Sequence, residues 1–377
     1  MITLFIISIL LTFLYSLFIF SIYFGLKKLS DSKIKSSDKL PSVTLLIPFR
    51  NEEENIKKSI EAVNQIEYEI DKLEVIYIND SSNDSSIQIF DQTEKRDFIK
   101  LIHLQTDNQK SAGKKRGILF GIENSKNDII VTTDADCFFE KDWLKNLISN
   151  FDEKTALVAG PVDLIVKPNF IGSFQRLEFA GLNLSAAGLI AINKPIICSG
   201  ANLAYRKKVF IEVGGFGDTI NYSSGDDDFL LQKIASLGKW NIKFAYSKSA
   251  KVFTNGKENL SGFVNQRARW ASKGFRYESI STVLLLIIIF LFYIMIPIQL
   301  ILFFLGNSII GISLIAAVFA KLLSEFLVMQ KGLNDLYDKS LLRYFLTAEI
   351  FQIPYIIISP IIGIFGKFNW KGRNLNK

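Results

Sequence analysis

Residues 2–25, ITLFIISILLTFLYSLFIFSIYFG, contain no charged side chain. An apolar run of about 20 residues is long enough to cross the hydrocarbon of a bilayer as a helix. This run is longer than a signal-peptide core, has no basic residue before it and shows no clear small-residue cleavage site. It reads as a retained anchor. The same composition returns after residue 280, where further spans are predicted at 281–305, about 309–329 and about 344–366. Pro354 and Pro360 fall inside the last of these, and the polar stretch KGLNDLYDKSLLR (331–343) precedes it. The expected organisation is an anchor over 1–27, a globular domain over 28–278, C-terminal membrane helices over 279–366 and a basic tail over 367–377.

Basic residues beside the span ends set orientation. Lys27, Lys28, Lys33 and Lys35 follow the first run, and Arg267, Arg269, Lys273 and Arg276 precede the second. Both groups place 28–278 in the cytoplasm, on the inner face of a cell membrane. The loop with Lys331, Lys339 and Arg343 agrees, whereas the tail KFNWKGRNLNK is basic on the side that an even count of spans leaves outside.

The net charge of +7 fits basic segments lying on anionic lipid. No compact Arg/Lys motif with interleaved aromatics appears, so nucleic acid is not an expected partner. Cys137 and Cys198 are the only cysteines and read as free thiols in a cytoplasmic domain. The single histidine, His103, lies in the strand-like run IKLIHL and reads as structural. Its solitude excludes His-built zinc sites and most Ser-His or Cys-His nucleophiles.

Between the apolar regions, strand-like runs alternate with helical ones. VTLLIPF (43–49) precedes a helix with Ile56, Ile60 and Val63 on one face; LEVIYIND (73–80), IKLIHL (99–104) and NDIIVTTD (127–134) are the next strands. This alternation indicates an α/β domain with a mostly parallel, Rossmann-like sheet covered by helices. Ligands of such sheets gather beyond the carboxyl ends of the strands. Arg50-Asn51-Glu52, Asp80 and Asp134/Asp136 stand at such ends.

Asp134 and Asp136, in IIVTTDADCFFE, are the most informative of these. Residues i and i+2 of a strand point the same way, so both carboxylates can face one object, and like charges that close call for a positive partner. A hard divalent cation such as Mg2+ or Mn2+ would take carboxylate oxygens together with water and phosphate oxygens. A solvated turn is the plainer reading of the same tripeptide.

Read in order, VTLLIPFRNEEENI, VIYINDSSNDSS, SAGKKRGILFGIENSKNDIIVTTDADCFFEKDWL, SGANLAYRKKVFIEVGGF, SSGDDDFLLQKI and QRARW resemble the inverting family-two glycosyltransferases of GT-A fold, in their membrane-embedded branch. The resemblance runs from about Val43 to Trp270. It implies that Pro48, Arg50, Asn51 and Glu52 border the base and ribose of a UDP- or GDP-sugar, and that Asp80 contacts the base. It further implies that Lys114 lies near the sugar nucleotide and that Asp134 and Asp136 hold the metal, Asp136 more directly. Gly200-Ala201-Asn202 would border donor sugar and acceptor; Gln266, Arg269 and Trp270 match Q-x-x-R-W near the acceptor opening and diphosphate. Duller roles stand beside these: a helix N-terminus for Glu52, a turn or cap for Asp80, a solvated face for Lys114.

The family shows Glu-Asp-x-Asp-Leu where this chain has Gly225-Asp226-Asp227-Asp228-Phe229. Asp226 falls on the general base, with Asp227 its rival. Carboxylates crowded near a diphosphate should have raised proton affinity, which suits a base that takes a hydroxyl proton. The expected activity is transfer of a sugar, with inversion, to a membrane-associated and lipid-linked acceptor. A processive polysaccharide synthase and an inactive membrane scaffold are the alternatives. The apolar stretch 168–197 is expected to lie in the membrane interface, with a buried helix as its plainer reading, and Lys321 and Glu325, one helical turn apart, are expected to pair within a span.

Overall fold

A computed structural model describes residues 1–32, 40–104, 113–222, 224–365, 368–370 and 373–375, without the side chains of Phe275 and of residues after 365. Lys33, Lys35, Ser111, Ala112, Ser223 and, in the tail, residues 367, 371, 372, 376 and 377 lie outside the described residues. The chain divides into two compact units that interleave in sequence. One comprises 30–165, 193–256 and 369–377; the other comprises 1–29, 166–192 and 257–368. Residues 166–192 and 257–278, expected in the globular domain, therefore group with the long apolar helices.

The first unit is a mixed α/β layer. Its strands are β1 (Val43–Phe49), β2 (Leu73–Asn79), β3 (Ile99–His103), β4 (Ile129–Thr132), β5 (Cys137–Phe139), β6 (Thr155–Ala159), β7 (Val162–Ile165), β8 (Leu203–Arg206), β9 (Asn241–Phe244) and β10 (Val252–Asn255). The main sheet runs β3-β2-β1-β4-β8-β6-β9. β1, β2, β3 and β4 pair in parallel, β6 and β9 likewise, while β8 runs against both of its neighbours. The sheet is thus parallel-rich with one reversed strand. A smaller sheet, β5-β10-β7, stands apart from it.

Strands covered on both faces read as continuous apolar runs, and Leu45, Leu46, Ile47, Val75, Ile76 and Tyr77 are indeed buried. The unit's helices are α2 (Ile56–Asn64), α3 (Ser86–Gln92), α4 (Lys114–Glu123), α5 (Trp143–Ile148), α7 (Lys207–Glu212) and α8 (Asp228–Ser236), with α1 (Ile2–Asp31) and α6 (Phe170–Ala191) in the other unit. Ile56, Ile60 and Val63 bury the inner face of α2 as the spacing predicts. His103 is structural: its Nδ1 meets Asn79 Nδ2 at 3.1 Å across β2 and β3.

In the second unit, α1 (Ile2–Asp31), α10 (Ile280–Phe304), α11 (Ser308–Leu336) and a segment over Lys339–Phe365 that contains α12 (Phe345–Phe365) are long and apolar enough to cross a membrane. The span boundaries differ from expectation: α1 continues to Asp31, past the uncharged run, and the last apolar segment begins at Lys339. α11 continues through 331–336, because the polar residues there form a helical turn with Lys331 paired to Asp335 at 2.7 Å. The remaining helices are α6 (Phe170–Ala191) and α9 (Leu260–Ala271).

The apolar face of α6 is occupied by protein. Leu184 packs where a Cβ on Gly332 of α11 would stand 2.2 Å away, Gly188 meets Ile22 and Gly25 of α1, and Phe174 lies 5.6 Å from the Phe263 ring of α9. This is the plainer of the two expectations for 168–197, a buried helix. Lys321 and Glu325 pair at 3.1 Å as expected, and the structure adds Glu349, Tyr15 and Tyr293 to the cluster. In an apolar surrounding such charges are found paired.

Candidate active site

The parallel strands deliver their carboxyl ends to one edge of the sheet. Phe49 pairs with Asn79, so Arg50 and Asp80 emerge side by side, and Thr132 of β4 pairs with Leu46. Pro48 lies beyond the last β4 pairing, where a missing N–H costs no ladder bond on that side.

The loops after β1 and β2 are laced together. Arg50 Nη1 donates to the carbonyls of Asp80 (2.7 Å) and Ser81 (2.8 Å). The Asn51 amide donates to Ser82 Oγ at 3.1 Å and its Oδ1 accepts from the Asn83 amide at 3.0 Å. The Glu52 amide donates to Ser86 Oγ at 2.8 Å, while its carboxylate accepts from Asn55. Asn51 and Ser81 both take left-handed backbone conformations, which this lacing sustains. The side chains expected at a nucleotide thus also build the wall that holds them. Asp80 is buried.

Asp134 and Asp136 do not sit in the strand. β4 ends at Thr132 and β5 begins at Cys137, so the two aspartates occupy the turn between. The turn, rather than strand alternation, brings them together: ligand atoms of Asp134, Asp136 and Cys137 all lie within 4.8 Å of one another. The Cys137 thiol is buried, and burial with the charges of Asp136 and Asp134 pushes its pKa well above the usual thiol range. A protonated thiol is a poor ligand for a hard cation, whereas two half-buried carboxylates fit Mg2+ or Mn2+. The donor set therefore fits the expected ion.

The positive partner that the aspartates call for is Lys114, the first residue of α4. Its Nζ lies 2.8 Å from Asp134 Oδ1 and 3.0 Å from Asp226 Oδ2. Burial works against its charge, but Asp134 and Asp226, with Asp227 beyond them, hold its pKa well above the ordinary lysine value. The partner given to Asp226 is thus a cation, where crowded carboxylates had been expected.

The three consecutive aspartates divide their work. Asp227 caps α8 through the Asp228 amide (2.8 Å) and accepts from the Gly200 amide (3.1 Å). Asp228 is buried and accepts from the Cys198 amide at 2.9 Å. Asp226 instead faces Lys114. Gly225 has φ +86°, and a Cβ there would meet the Phe229 ring at 2.5 Å. A glutamate at this position would be strained and crowded in this backbone.

Gly200 and Asn202 lead into β8. The Asn202 side chain is fully buried, donating to the carbonyls of Pro161 and Ala250 (both 2.8 Å) and accepting from Trp143 Nε1 (3.1 Å). It ties the main sheet to the small one. Thr132 and Thr133, which motif reading passes over, donate their hydroxyls to the Gly200 and Ala201 carbonyls at 3.0 and 2.8 Å. They fasten the metal-type turn to the 200 loop, and two threonines directly before D-x-D were the available signal. Gln266, Arg269 and Trp270 lie on α9 of the helical unit, with Trp270 5.9 Å from Phe179.

Residues 44–214 match the profile of glycosyl transferase family 2. Among curated proteins, the chain is 29% identical over 273 residues to a poly-beta-1,6-N-acetyl-D-glucosamine synthase of Staphylococcus aureus, a match covering 69% of this chain and 60% of that protein. It is 30% identical over 237 residues to the probable glycosyltransferase YdaM of Bacillus subtilis, covering 62% of this chain and 55% of that one. The matched region thus spans about 60% of the length of the first of these relatives. Among solved structures, the mannosyltransferase PcManGT from Pyrobaculum calidifontis, in complex with GDP-Man and Mn2+, superposes with TM-score 0.59 at 18% identity over 96% of this chain and 99% of that one. That likeness is one of fold.

Proposed function

We propose that this chain is a membrane-bound, inverting glycosyltransferase that moves a sugar from a nucleotide-sugar to an acceptor hydroxyl at the inner face of the bilayer. The observation that carries this reading is the ion-pair chain Asp134–Lys114–Asp226, at the edge where the parallel strands end, within a region that matches glycosyl transferase family 2. The laced loops around Arg50, Asn51, Glu52 and Asp80, with Pro48 beneath, form the wall for base and ribose. A divalent ion held by Asp136 and Asp134 would supply Lewis-acid neutralisation of the departing diphosphate.

Lys114 carries a fixed positive charge to the same place, which favours the departing diphosphate, whose negative charge grows as the bond breaks, over the intact donor. Gly200 keeps the approach to Asp226 open, and Asn202, Thr132 and Thr133 hold the backbone around it. Asp226 accepts the proton of the acceptor hydroxyl as its oxygen attacks the anomeric carbon from the face opposite the diphosphate. Asp227, committed to the α8 cap and the Gly200 amide, positions Asp226. Gln266, Arg269 and Trp270 serve the acceptor side, and the four long apolar helices favour a lipid-linked acceptor.

A second reading has its own support. Likeness to a poly-beta-1,6-N-acetyl-D-glucosamine synthase favours an acceptor that is the growing polymer itself. Mass spectrometry of products made by the purified chain with UDP-N-acetylglucosamine or GDP-mannose, Mn2+ and bilayer lipid separates the two. A single added hexose supports the first reading and a ladder of masses the second. Absence of any product with every nucleotide-sugar removes both.

A further inference from the structure

Arg267 lies inside QRARW, yet it is none of the residues that the sequence pattern singles out. Its side chain is 2% exposed in the helical unit. Nε donates to both oxygens of Glu178 (3.0 and 3.1 Å), and Nη2 donates to Oε2 of the same carboxylate. Nη1 donates to Gln266 Oε1 at 2.6 Å. Glu178, from α6, also accepts the Tyr355 hydroxyl of α12 at 2.7 Å. The guanidinium plane stands 4.4 Å from the Trp270 ring and 4.6 Å from that of Phe263.

This guanidinium is used along its edges and against aromatic rings. One edge holds a carboxylate from α6 that is itself steadied from α12. Another edge grips its own neighbour on α9, and one face lies on an aromatic ring. Arginine suits this work because its donors form a rigid planar fork that also stacks. Only the oxygen of an amide can accept from it, so the bond fixes which end of the Gln266 carboxamide is the donor end. Buried ion pairs are weak evidence for stability, since hydrophobic replacements of equal volume often fold as well. What this pair fixes is orientation.

We propose that Arg267, held by Glu178 and Tyr355, is a positioning residue that sets the Gln266 amide and the Trp270 ring for the transfer step. The proposal rests on the glycosyltransferase reading above for what Gln266 and Trp270 do; the clamp itself rests on the bonds among α6, α9 and α12. Glu178 acts through Arg267, and Tyr355 through Glu178.

The test uses the full chain in phosphatidylethanolamine–phosphatidylglycerol nanodiscs. The chain has four tryptophans. Subtracting the emission of a Trp270→Phe counterpart from each variant isolates the Trp270 contribution. Three variants are compared with wild type: Glu178→Gln, Tyr355→Phe and the double change Arg267→Met/Glu178→Met, which removes both charges while keeping volume. Nucleotide release from UDP-N-acetylglucosamine or GDP-mannose with Mn2+ is followed in parallel.

Glu178→Gln and the double variant should shift the Trp270 emission and open it to acrylamide quenching, with Tyr355→Phe doing so less. Their kcat should fall about tenfold or more while donor KM stays within about twofold, the pattern of lost transition-state positioning. If Glu178→Gln does not fold, the double variant and Tyr355→Phe decide. Unchanged Trp270 emission in the folded variants overturns the clamp. Altered emission with unchanged turnover overturns its link to transfer. Wild-type protein that releases no nucleotide from any donor removes the glycosyltransferase reading instead, and the emission data still decide the clamp.

Discussion

Gly200 lies directly against Asp226: a methyl group on its Cα would stand 2.7 Å from Asp226 Oδ2 and 3.2 Å from Lys114 Nζ. Both of those atoms belong to one ion pair, so neither can move aside alone. Gly200→Ala should therefore leave the protein folded and reduce transfer by about 100-fold, the scale of a misplaced catalytic group. Turnover measured beside a thermal melt checks this, and near-normal turnover would mean that the contact is not part of the site.

Asp226 and Asp227 should separate cleanly. Asp226→Asn should lower kcat by about two to four orders of magnitude and leave the melting temperature near wild type. Asp227→Ala removes a helix cap and the anchor of the Gly200 amide, so it should lower stability by about 0.5–2 kcal/mol as well as activity. The reverse assignment of effects would make Asp227 the base.

Asn202 offers a purely structural contrast. Asn202→Ala would leave the Ala250 carbonyl and the Trp143 indole N–H without the Asn202 side chain that now pairs with them, while the Pro161 carbonyl keeps the Val252 amide. Each orphaned buried group costs about 1–3 kcal/mol, so the variant should express poorly or melt far below wild type.

Acid should loosen one surface tie of the sheet. Burial pushes the Asp152 carboxyl up, but hydrogen bonds from Lys243 and Thr155 outweigh it and bring it down from 3.8 to about 2. A depressed carboxylate stabilises the fold above its unfolded value and loses that contribution as pH falls through the folded one. Its side chain is 52% exposed, which limits the effect to the range of surface pairs, about 0.2–1 kcal/mol. Asp152→Asn should melt slightly lower than wild type at pH 7, and the gap should close between pH 4 and pH 2 by differential scanning fluorimetry.

Lys321 tests the helical unit. Lys321→Met leaves Glu325 and Glu349 buried without their cation and should destabilise by about 3–5 kcal/mol. Adding Glu349→Gln should recover part of that loss in detergent melts. Equal stability of wild type and single variant would show the cluster to be dispensable.

Much of this was legible in the chain. β1, β2 and β4 announce themselves as apolar runs, since strands buried on both faces must be apolar throughout, and β3 as a half-exposed alternating one. β8 (LAYR) and β9 (NIKF) do not: four residues carry too little pattern, and long-range pairing creates them. The acidic positions 134, 136 and 226 were visible as motifs. What bound them was not, because Lys114 reaches Asp226 across more than a hundred residues of sequence. The same blindness hid the split of roles at 226–228, which depends on where the Gly200 and Cys198 amides arrive. Composition alone marks a change near 278; that α6 and α9 group with the apolar helices follows from packing, which composition does not record.

The central claim is that a nucleotide-sugar reacts at the Asp134–Lys114–Asp226 edge with a divalent ion on the adjoining aspartates. Nucleotide release by the purified full chain, across a panel of UDP- and GDP-sugars with Mn2+, tests it most directly. Release from at least one donor should vanish with EDTA, return with Mn2+ and be lost in Asp136→Asn. Release that survives both EDTA and Asp136→Asn, or no release from any donor, would contradict the account.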